Sequence, residues 1–448
     1  MKAKWTLDGL AGELRDGKTT SRHLVEQALA VISAPAGEGS RAFIKVDAEG
    51  ARAAADYQDL LRRRGRAPSI FAGIPISAKD LFDLAGEVTT AGSAVLKNSA
   101  PALADAPAIA ALKSAGMVVL GRTNMTEFAY SGVGLNPHYG TPRSAFDRKT
   151  GRIPGGSSAG AAVAVADGMC ALGIGSDTGG SCRIPAAYNG IVGYKPSTGR
   201  VSTRGAYPLS PRFDCIGPLA NSVACCAAAD ALMAGDWSGQ IATREVATLR
   251  LGVCRTMVLE NLDAEVAQGF ERALARLSEA GGRLTDVDFE ELLEFPALTA
   301  KGGIVAAEAV AHHRGLMAQR GAEYDPRVRM RLEAASGISA ADYISILKRR
   351  NEIILRFNSL MAGFDAVVLP TVMNIPPPIA ALASDPDYLR FNSMSLRNTY
   401  VGNILDCCAL SIPVNEPGAA PVGVMLMAPH GQDQALLAVA AAVEKLLR

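Results

Sequence analysis

The sequence predicts an α/β fold: one large domain built on a mixed, mostly parallel twisted sheet covered by helices on both faces. Three observations predict it. Short apolar runs bounded by glycine or proline recur from Phe71 onward and alternate with helix-length segments. These runs lack the polar alternation of a half-solvated strand, so both faces of the sheet must be covered. No Gly/Ser/Pro linker, low-complexity tract or internal repeat divides the 448 residues, and that length supports a large core.

The elements follow in order. Thr6 can cap a first helix carrying Leu7, Leu10 and Leu14 on one face, ending at Gly17. Thr20 or Ser21 can cap a second, with Leu24, Val25, Ala28, Leu29 and Ile32 inward. A strand over 43–46 and a helix from 48 to about 64 come next. Residues 74–76 read as a strand edge. A helix over 105–115 is stopped by Gly116 and leads into a strand over 117–120. A helix of small residues over 158–166 is stopped by Gly168, and apolar strands follow over 171–175 and 191–194. Beyond Asp236 the pattern resumes with a strand over 249–254, a helix over 264–280 and a strand over 283–289. Helices over 303–320 and 340–360, a strand over 366–369 ending at Pro370, and an amphipathic helix over 435–447 complete the chain. The expected division is an N-terminal helical segment 1–64, a motif-bearing core 70–220 and a C-terminal α/β part 245–448, with 230–250 as the weakest seam.

Composition excludes several function classes. Lys and Arg number 45 against 44 Asp and Glu, so no whole-chain field draws the protein to nucleic acid or membrane. The basic runs Arg62-Arg63-Arg64 and Lys348-Arg349-Arg350 read as solvated helix faces. No apolar run approaches the roughly 20 residues of a membrane span. Met1-Lys2-Ala3-Lys4-Trp5 leads into a polar amphipathic segment, not an apolar signal core. The eight cysteines include the neighbours Cys225-Cys226 and Cys407-Cys408 but no C-x-x-C, which suits reduced thiols in a cytoplasmic protein.

The chemistry concentrates between Gly155 and Arg183. Gly155-Gly156-Ser157-Ser158-Ala159-Gly160 and Asp177-Thr178-Gly179-Gly180-Ser181-Cys182-Arg183 are two serine clusters, each introduced by a Gly-Gly pair. Glycines before a serine let the backbone bend and aim its N–H groups, as a nucleophilic serine with an oxyanion hole requires. The usual base is histidine. His23, His138, His312, His313 and His430 lie in no nucleophile-elbow context, and no G-x-S-x-G is present. His138 reads as a loop residue, and adjacent His312 and His313 point to different faces of a helix and make a poor metal pair. Lysine is the remaining common base, provided burial lowers its pKa. Lys79, at the end of Gly73-Ile74-Pro75-Ile76-Ser77-Ala78-Lys79, is placed for partial desolvation, although a strand-end lysine alone is as a rule a surface residue. Gly173-x-Gly175 lacks the third glycine and the acidic partner of a dinucleotide site, and no G-K-[ST] makes a phosphate loop.

Taken together, Gly73-x-Pro75-x-x-x-Lys79-Asp80, Gly155-Gly156-Ser157-Ser158 and Gly179-Gly180-Ser181-x-Arg183 resemble the amidase signature family. Gly121-Arg122-Thr123-Asn124-Met125-Thr126-Glu127-Phe128-Ala129 and Gly217-Pro218-Leu219 strengthen the resemblance, and Leu369-Pro370-Thr371 and Pro421-Val422-Gly423 match later landmarks more loosely. The resemblance implies the amidase signature fold and hydrolysis of a carboxamide through a serine acyl-enzyme, with no metal or organic cofactor. It implies Ser181 as nucleophile, Ser157, after a cis peptide bond from Gly156, as proton relay, and Lys79 as base. The backbone N–H groups of Thr178, Gly179, Gly180 and Ser181 would form the oxyanion hole. Ser158 would hydrogen-bond near Lys79, Asp177 would brace the Gly-Gly loop, and Arg183 would orient that loop or meet a polar substrate group.

The sequence departs from the family pattern at Ala159, where glycine is frequent, over 142–147, and at Met425, where glutamine is frequent, with Met427 two residues on. These changes bear on substrate preference. Met125, Tyr130 and Phe213, with Ile304 and Tyr400, are expected to line an apolar or aromatic acyl pocket. The expected partners are a small-molecule amide and a second copy of the chain, with no nucleic acid and no membrane. Two alternatives use the same fold: the glutaminase-type component of a tRNA-dependent amidotransferase, and a catalytically silent binding protein.

Overall fold

The computed structural model describes residues 5–236, 241–416 and 418–447. Residues 1–4, and 237–240 within the expected seam, therefore lie outside the described residues. One sheet runs through the chain. Its strands are β1 (Phe43–Val46), β2 (Pro75–Lys79), β3 (Val118–Thr123), β4 (Leu172–Asp177), β5 (Val192–Lys195), β6 (Cys215–Ala220), β7 (Arg250–Cys254), β8 (Arg283–Val287), β9 (Ala366–Pro370), β10 (Cys408–Pro413) and β11 (Gly423–Ala428). Their spatial order is β1-β3-β2-β4-β6-β5-β10-β11-β9-β7-β8.

The sheet is mixed, as expected, but its parallel share is smaller than the apolar runs suggested. Pairs β2/β3, β2/β4, β7/β8 and β7/β9 are parallel. The pairs β1/β3, β4/β6, β5/β6, β5/β10, β10/β11 and β9/β11 are antiparallel. The two parallel blocks flank an antiparallel centre. Burial on both faces makes those central strands as apolar as parallel ones, so composition alone cannot separate the two cases.

Alternate side chains of single strands show the double coverage. In β11, Val424 and Leu426 enter one core cluster and Met425 and Met427 another. In β9, Ala366 and Val368 join the first and Val367 and Leu369 the second. The helices Pro107–Ser114, Val223–Ala234, Ala264–Glu279 and Asp433–Leu447 supply the first cluster. The helix Ala159–Ala166 packs on the other face with Val118, Leu120 and Leu219. Its small residues are needed there: a Cβ on Gly160 would lie 2.1 Å from the carbonyl oxygen of Ala42, and one on Gly173 would meet Ala161 at 3.0 Å. No helix among the described residues is long and apolar enough to cross a membrane.

The expected elements recur with small shifts at their ends, and Thr6 and Thr20 cap the first two helices. Periodicity does not mark β6, because Gly217-Pro218 reads as a turn. In the structure Pro218 sits opposite Ile174, and the β5 ladder pairs only Val192 with Ala220 and Gly193 with Leu219. The helix Val223–Ala234 is also unmarked: it is buried nearly all round and has no polar face to give a period.

Candidate active site

Lys79 ends β2, a strand buried throughout, and its side chain is fully buried. Its Nζ lies 2.8 Å from Ser157 Oγ and 2.9 Å from Ser176 Oγ. Burial penalises the ammonium and pulls Lys79 down from 10.5 to about 8, while the negative charges of Asp177 and Asp214 act the other way. The amine is thus within reach of its neutral form near neutral pH. A neutral amine keeps a lone pair, so it can accept a proton from one hydroxyl while donating to the other.

Ser157 and Ser158 lead into the helix Ala159–Ala166. The Gly156–Ser157 peptide is cis. The Gly156 N–H donates to the Gly132 carbonyl at 2.8 Å, and the Ser157 carbonyl accepts from the Thr126 N–H at 3.1 Å. Gly155 has φ 72°, and a Cβ there would sit 2.7 Å from the Tyr188 ring. Ser158 does not bond Lys79 directly. Its N–H donates to the Ser181 carbonyl at 3.2 Å, which ties the two serine clusters together. Its hydroxyl donates to the Ser176 carbonyl at 3.3 Å. The direct second partner of Lys79 is Ser176, which sequence reasoning missed.

The loop from Asp177 to Arg183 crosses from β4 to the helix Arg183–Asn189. Asp177 accepts from the N–H groups of Gly180 at 2.9 Å and Cys182 at 3.1 Å, from Arg183 Nε at 3.0 Å and Nη2 at 2.9 Å, and from Asn403 Nδ2 at 3.0 Å. Burial alone would raise Asp177, but the charge and hydrogen bonds of Arg183, with Asn403 and Lys195, hold it well below the usual carboxylate range. One expectation is corrected here: the Gly180 N–H already serves Asp177 and is not free for an oxyanion. Among the described residues no acceptor is bonded to the N–H of Gly179 or Ser181. Gly180 has φ 133°, and a Cβ there would lie 2.2 Å from Thr399 Oγ1, whose hydroxyl donates to the Gly179 carbonyl at 2.7 Å.

A cavity of about 110 Å³ opens beside this loop, lined by Ser176, Thr178, Tyr207, Leu209, Asp214 and Ile216 among others. The expected Met125, Tyr130 and Phe213 do not line it. Met125 is packed in the core beneath Asn136, which donates to its carbonyl at 2.7 Å. Tyr130 is buried under the Arg331 guanidinium, 4.1 Å from the ring centroid. Phe213 is held between Tyr400, stacked at 6.1 Å, and Arg350 at 4.7 Å. Aromatic and sulfur side chains in the right segments were a compositional signal, and packing partners claimed all three.

A family model described as Amidase matches residues 24–437. The chain belongs to this amidase family. It is 33% identical over 408 residues to 2-amino-5-chloromuconic acid deaminase of Comamonas testosteroni, spanning 90% of this chain and 87% of that one. It is 34% identical over 449 residues to the A component of the glutamyl-tRNA(Gln) amidotransferase of Acidothermus cellulolyticus, spanning 91% and 87%. A solved amidase structure superposes with a TM-score of 0.89 at 31% identity, covering 99% of this chain and 100% of the other. The protein is therefore a hydrolase of the amidase class, with the α/β fold of that family.

Several further features of the amidase bear on the site. Arg183 is fully buried, and besides Asp177 it donates to the Thr399 carbonyl at 2.9 Å, Asn403 Oδ1 at 2.6 Å and Met425 Sδ at 3.1 Å. Its hydrogen bonds all go to protein acceptors, and it does not line the cavity. Met425 thus takes up a guanidinium N–H and shapes the support of the loop. Cys182, next to Ser181, donates to the Gly217 carbonyl at 3.5 Å, and burial pushes its thiol up, so it stays protonated. His138 pairs with Glu127 at 2.8 Å, and His313 Nδ1 with the Tyr324 hydroxyl at 3.0 Å. No cluster of metal-ligating side chains occurs among the described residues.

Proposed function

We propose that this amidase hydrolyses a small-molecule carboxamide to carboxylate and ammonia or amine through an acyl-enzyme on Ser181. The observation that carries the reading is the buried Lys79 amine bonded to Ser157, with Ser158 tethered to Ser181. Ser181 Oγ attacks the substrate carbonyl carbon as its proton passes to Ser157, whose own proton passes to neutral Lys79. The carbonyl oxygen becomes an oxyanion beside the N–H groups of Thr178, Gly179 and Ser181. Collapse of that intermediate breaks the C–N bond, and the departing nitrogen takes a proton back through Ser157 from Lys79. Water then attacks the acyl-enzyme by the same relay, releasing the carboxylate and restoring Ser181. Asp177 and Arg183 hold the loop that presents these N–H groups, and each preorganised oxyanion donor is worth about a hundredfold or more in rate.

The test is Ser181→Ala and Ser157→Ala in the purified chain, assayed against primary amides, anilides, aminoacyl amides and glutamine. Both variants should fold and lose turnover. A Ser181→Ala enzyme that keeps more than about 1% of wild-type rate excludes Ser181 as nucleophile. A second reading, the glutaminase-type component of a tRNA-dependent amidotransferase, is favoured by the 34% identity to such a component. Strong hydrolysis of simple amides by the isolated chain would exclude it, and glutaminase activity that needs a copurifying partner would support it.

A further inference from the structure

The Thr178 side chain lines the cavity and donates to a carboxylate that the catalytic scheme has not used. Thr178 Oγ1 lies 2.6 Å from Asp214 Oδ1. Asp214, just before β6, also accepts from the N–H groups of Leu209 at 3.0 Å and Ser210 at 3.1 Å. It therefore joins Thr178 of the oxyanion loop to the segment carrying Tyr207 and Leu209, which also line the cavity. The join continues outward. The Ser210 hydroxyl donates to Glu308 at 2.7 Å, and Glu308 accepts from the Tyr343 hydroxyl at 2.7 Å and pairs with Arg212 at 3.2 Å. The helices Gly303–Arg320 and Ala340–Met361 are thereby tied to the loop.

We propose that Asp214 is a positioning residue for acyl transfer: it fixes the Thr178 end of the oxyanion loop to the cavity wall and adds a negative charge to the field at Lys79. Asp177 fixes the other end of the loop through Gly180 and Cys182. Besides burial, the titratable groups acting on Lys79 are Cys182, Asp177 and Asp214, and Lys79 and Cys215 interact electrostatically with Asp214. Burial raises Asp214 to about 6, and Thr178, Leu209, Ser210 and Lys79 oppose that rise, so it is a carboxylate at the pH where Lys79 loses its proton. A carboxylate near Lys79 favours the ammonium. Removing the charge must lower the Lys79 pKa and extend activity to lower pH, an effect that loss of loop geometry alone would not produce.

The inference rests on the serine acyl-enzyme reading, and the experiment separates the two. The probe is p-nitrophenyl acetate as acyl donor, followed over about pH 5.5 to 9. Asp214→Asn should lower kcat about tenfold or more, because an amide cannot accept at both the Thr178 side and the Leu209 and Ser210 side at once, and should move the acid limb of kcat/KM down by about half a pH unit or more, because the negative charge is gone. Thr178→Val should lower kcat with KM little changed and the limb in place, and Thr178→Ser should restore the rate. An unmoved limb in a folded Asp214→Asn enzyme, or wild-type kcat in Thr178→Val, overturns the assignment. If Asp214→Asn does not fold, the Thr178 pair decides alone. Ser181→Ala and Lys79→Ala run in parallel. Turnover retained in either sinks the acyl-enzyme reading and this inference with it, whereas their inactivity beside unaffected Asp214 and Thr178 variants sinks this inference alone.

Discussion

Replacing Lys79 by methionine separates what the lysine does for chemistry from what it does to stability. The substitution keeps an unbranched, apolar side chain, with a thioether sulfur in place of one methylene, and removes the amine. In the folded protein Lys79 falls from 10.5 to about 8 because of burial. That drop corresponds to roughly 3 kcal/mol of preference for the neutral form. Below about pH 8 both folded and unfolded chains carry the proton, and the full cost of the buried ammonium weighs on the native state. Between about pH 8 and 10.5 the native state releases the proton while the unfolded chain keeps it, so wild-type stability rises with pH through that window.

Methionine has no such dependence. It leaves Ser157 and Ser176 without the amine, at about 1 to 3 kcal/mol for each hydroxyl that finds no other partner. These effects oppose each other at pH 7, where the variant should match wild type within about 3 kcal/mol. Measured by urea unfolding, the difference between the two proteins should then shift in favour of wild type by roughly 2 to 3 kcal/mol on going from pH 7 to pH 10. Turnover should fall by about 10²- to 10⁴-fold, the typical contribution of a general base. Parallel stability curves across that pH range would refute the claim that Lys79 is held with a depressed proton affinity. Activity above about 1% of wild type would refute its role as base.

Three further outcomes are expected. Ser176→Ala removes one partner of Lys79 Nζ, and kcat should fall about tenfold with KM unchanged; steady-state kinetics within twofold of wild type would deny Ser176 a part in holding the lysine. Gly180→Ala forces a Cβ to within 2.2 Å of Thr399 Oγ1 at φ 133°, so the loop must move and kcat should drop about a hundredfold or more; an active Gly180→Ala enzyme would show that the loop tolerates that movement. His138 is raised above its ordinary value chiefly by its hydrogen bond to Glu127, so its contribution to stability is present at acid pH and fades as pH rises through the folded-state pKa. Thermal unfolding of His138→Gln against wild type should therefore show a larger deficit at pH 5.5 than at pH 8.5, and an equal deficit at both would contradict the pairing.

What could be read from the chain, and what could not, follows from how far apart the partners lie. The caps at Thr6 and Thr20 are local chemistry, three residues from the N–H groups they bind, and short-range spacing reveals them. The serine clusters and Lys79 stand out because glycine and apolar context are visible in a few neighbouring letters. Ser176 and Asp214 are different. Ser176 meets Lys79 across 97 positions and Asp214 meets Thr178 across 36, and nothing near either residue distinguishes it from any strand-end serine or loop aspartate. Only the parallel register of β2 beside β4, with Ala78 opposite Ile174, brings the ends of these strands together and puts Ser176 against Lys79. Strand order explains why Lys79, whose apolar context only marks it as a candidate, is fully desolvated: β3 and β4 flank β2 on both sides, so a residue at its end is enclosed where one on an edge strand would be wet. The proton affinity of Lys79 is thus a property of strand order, and a lysine in the same seven-residue motif on an edge strand would lack it.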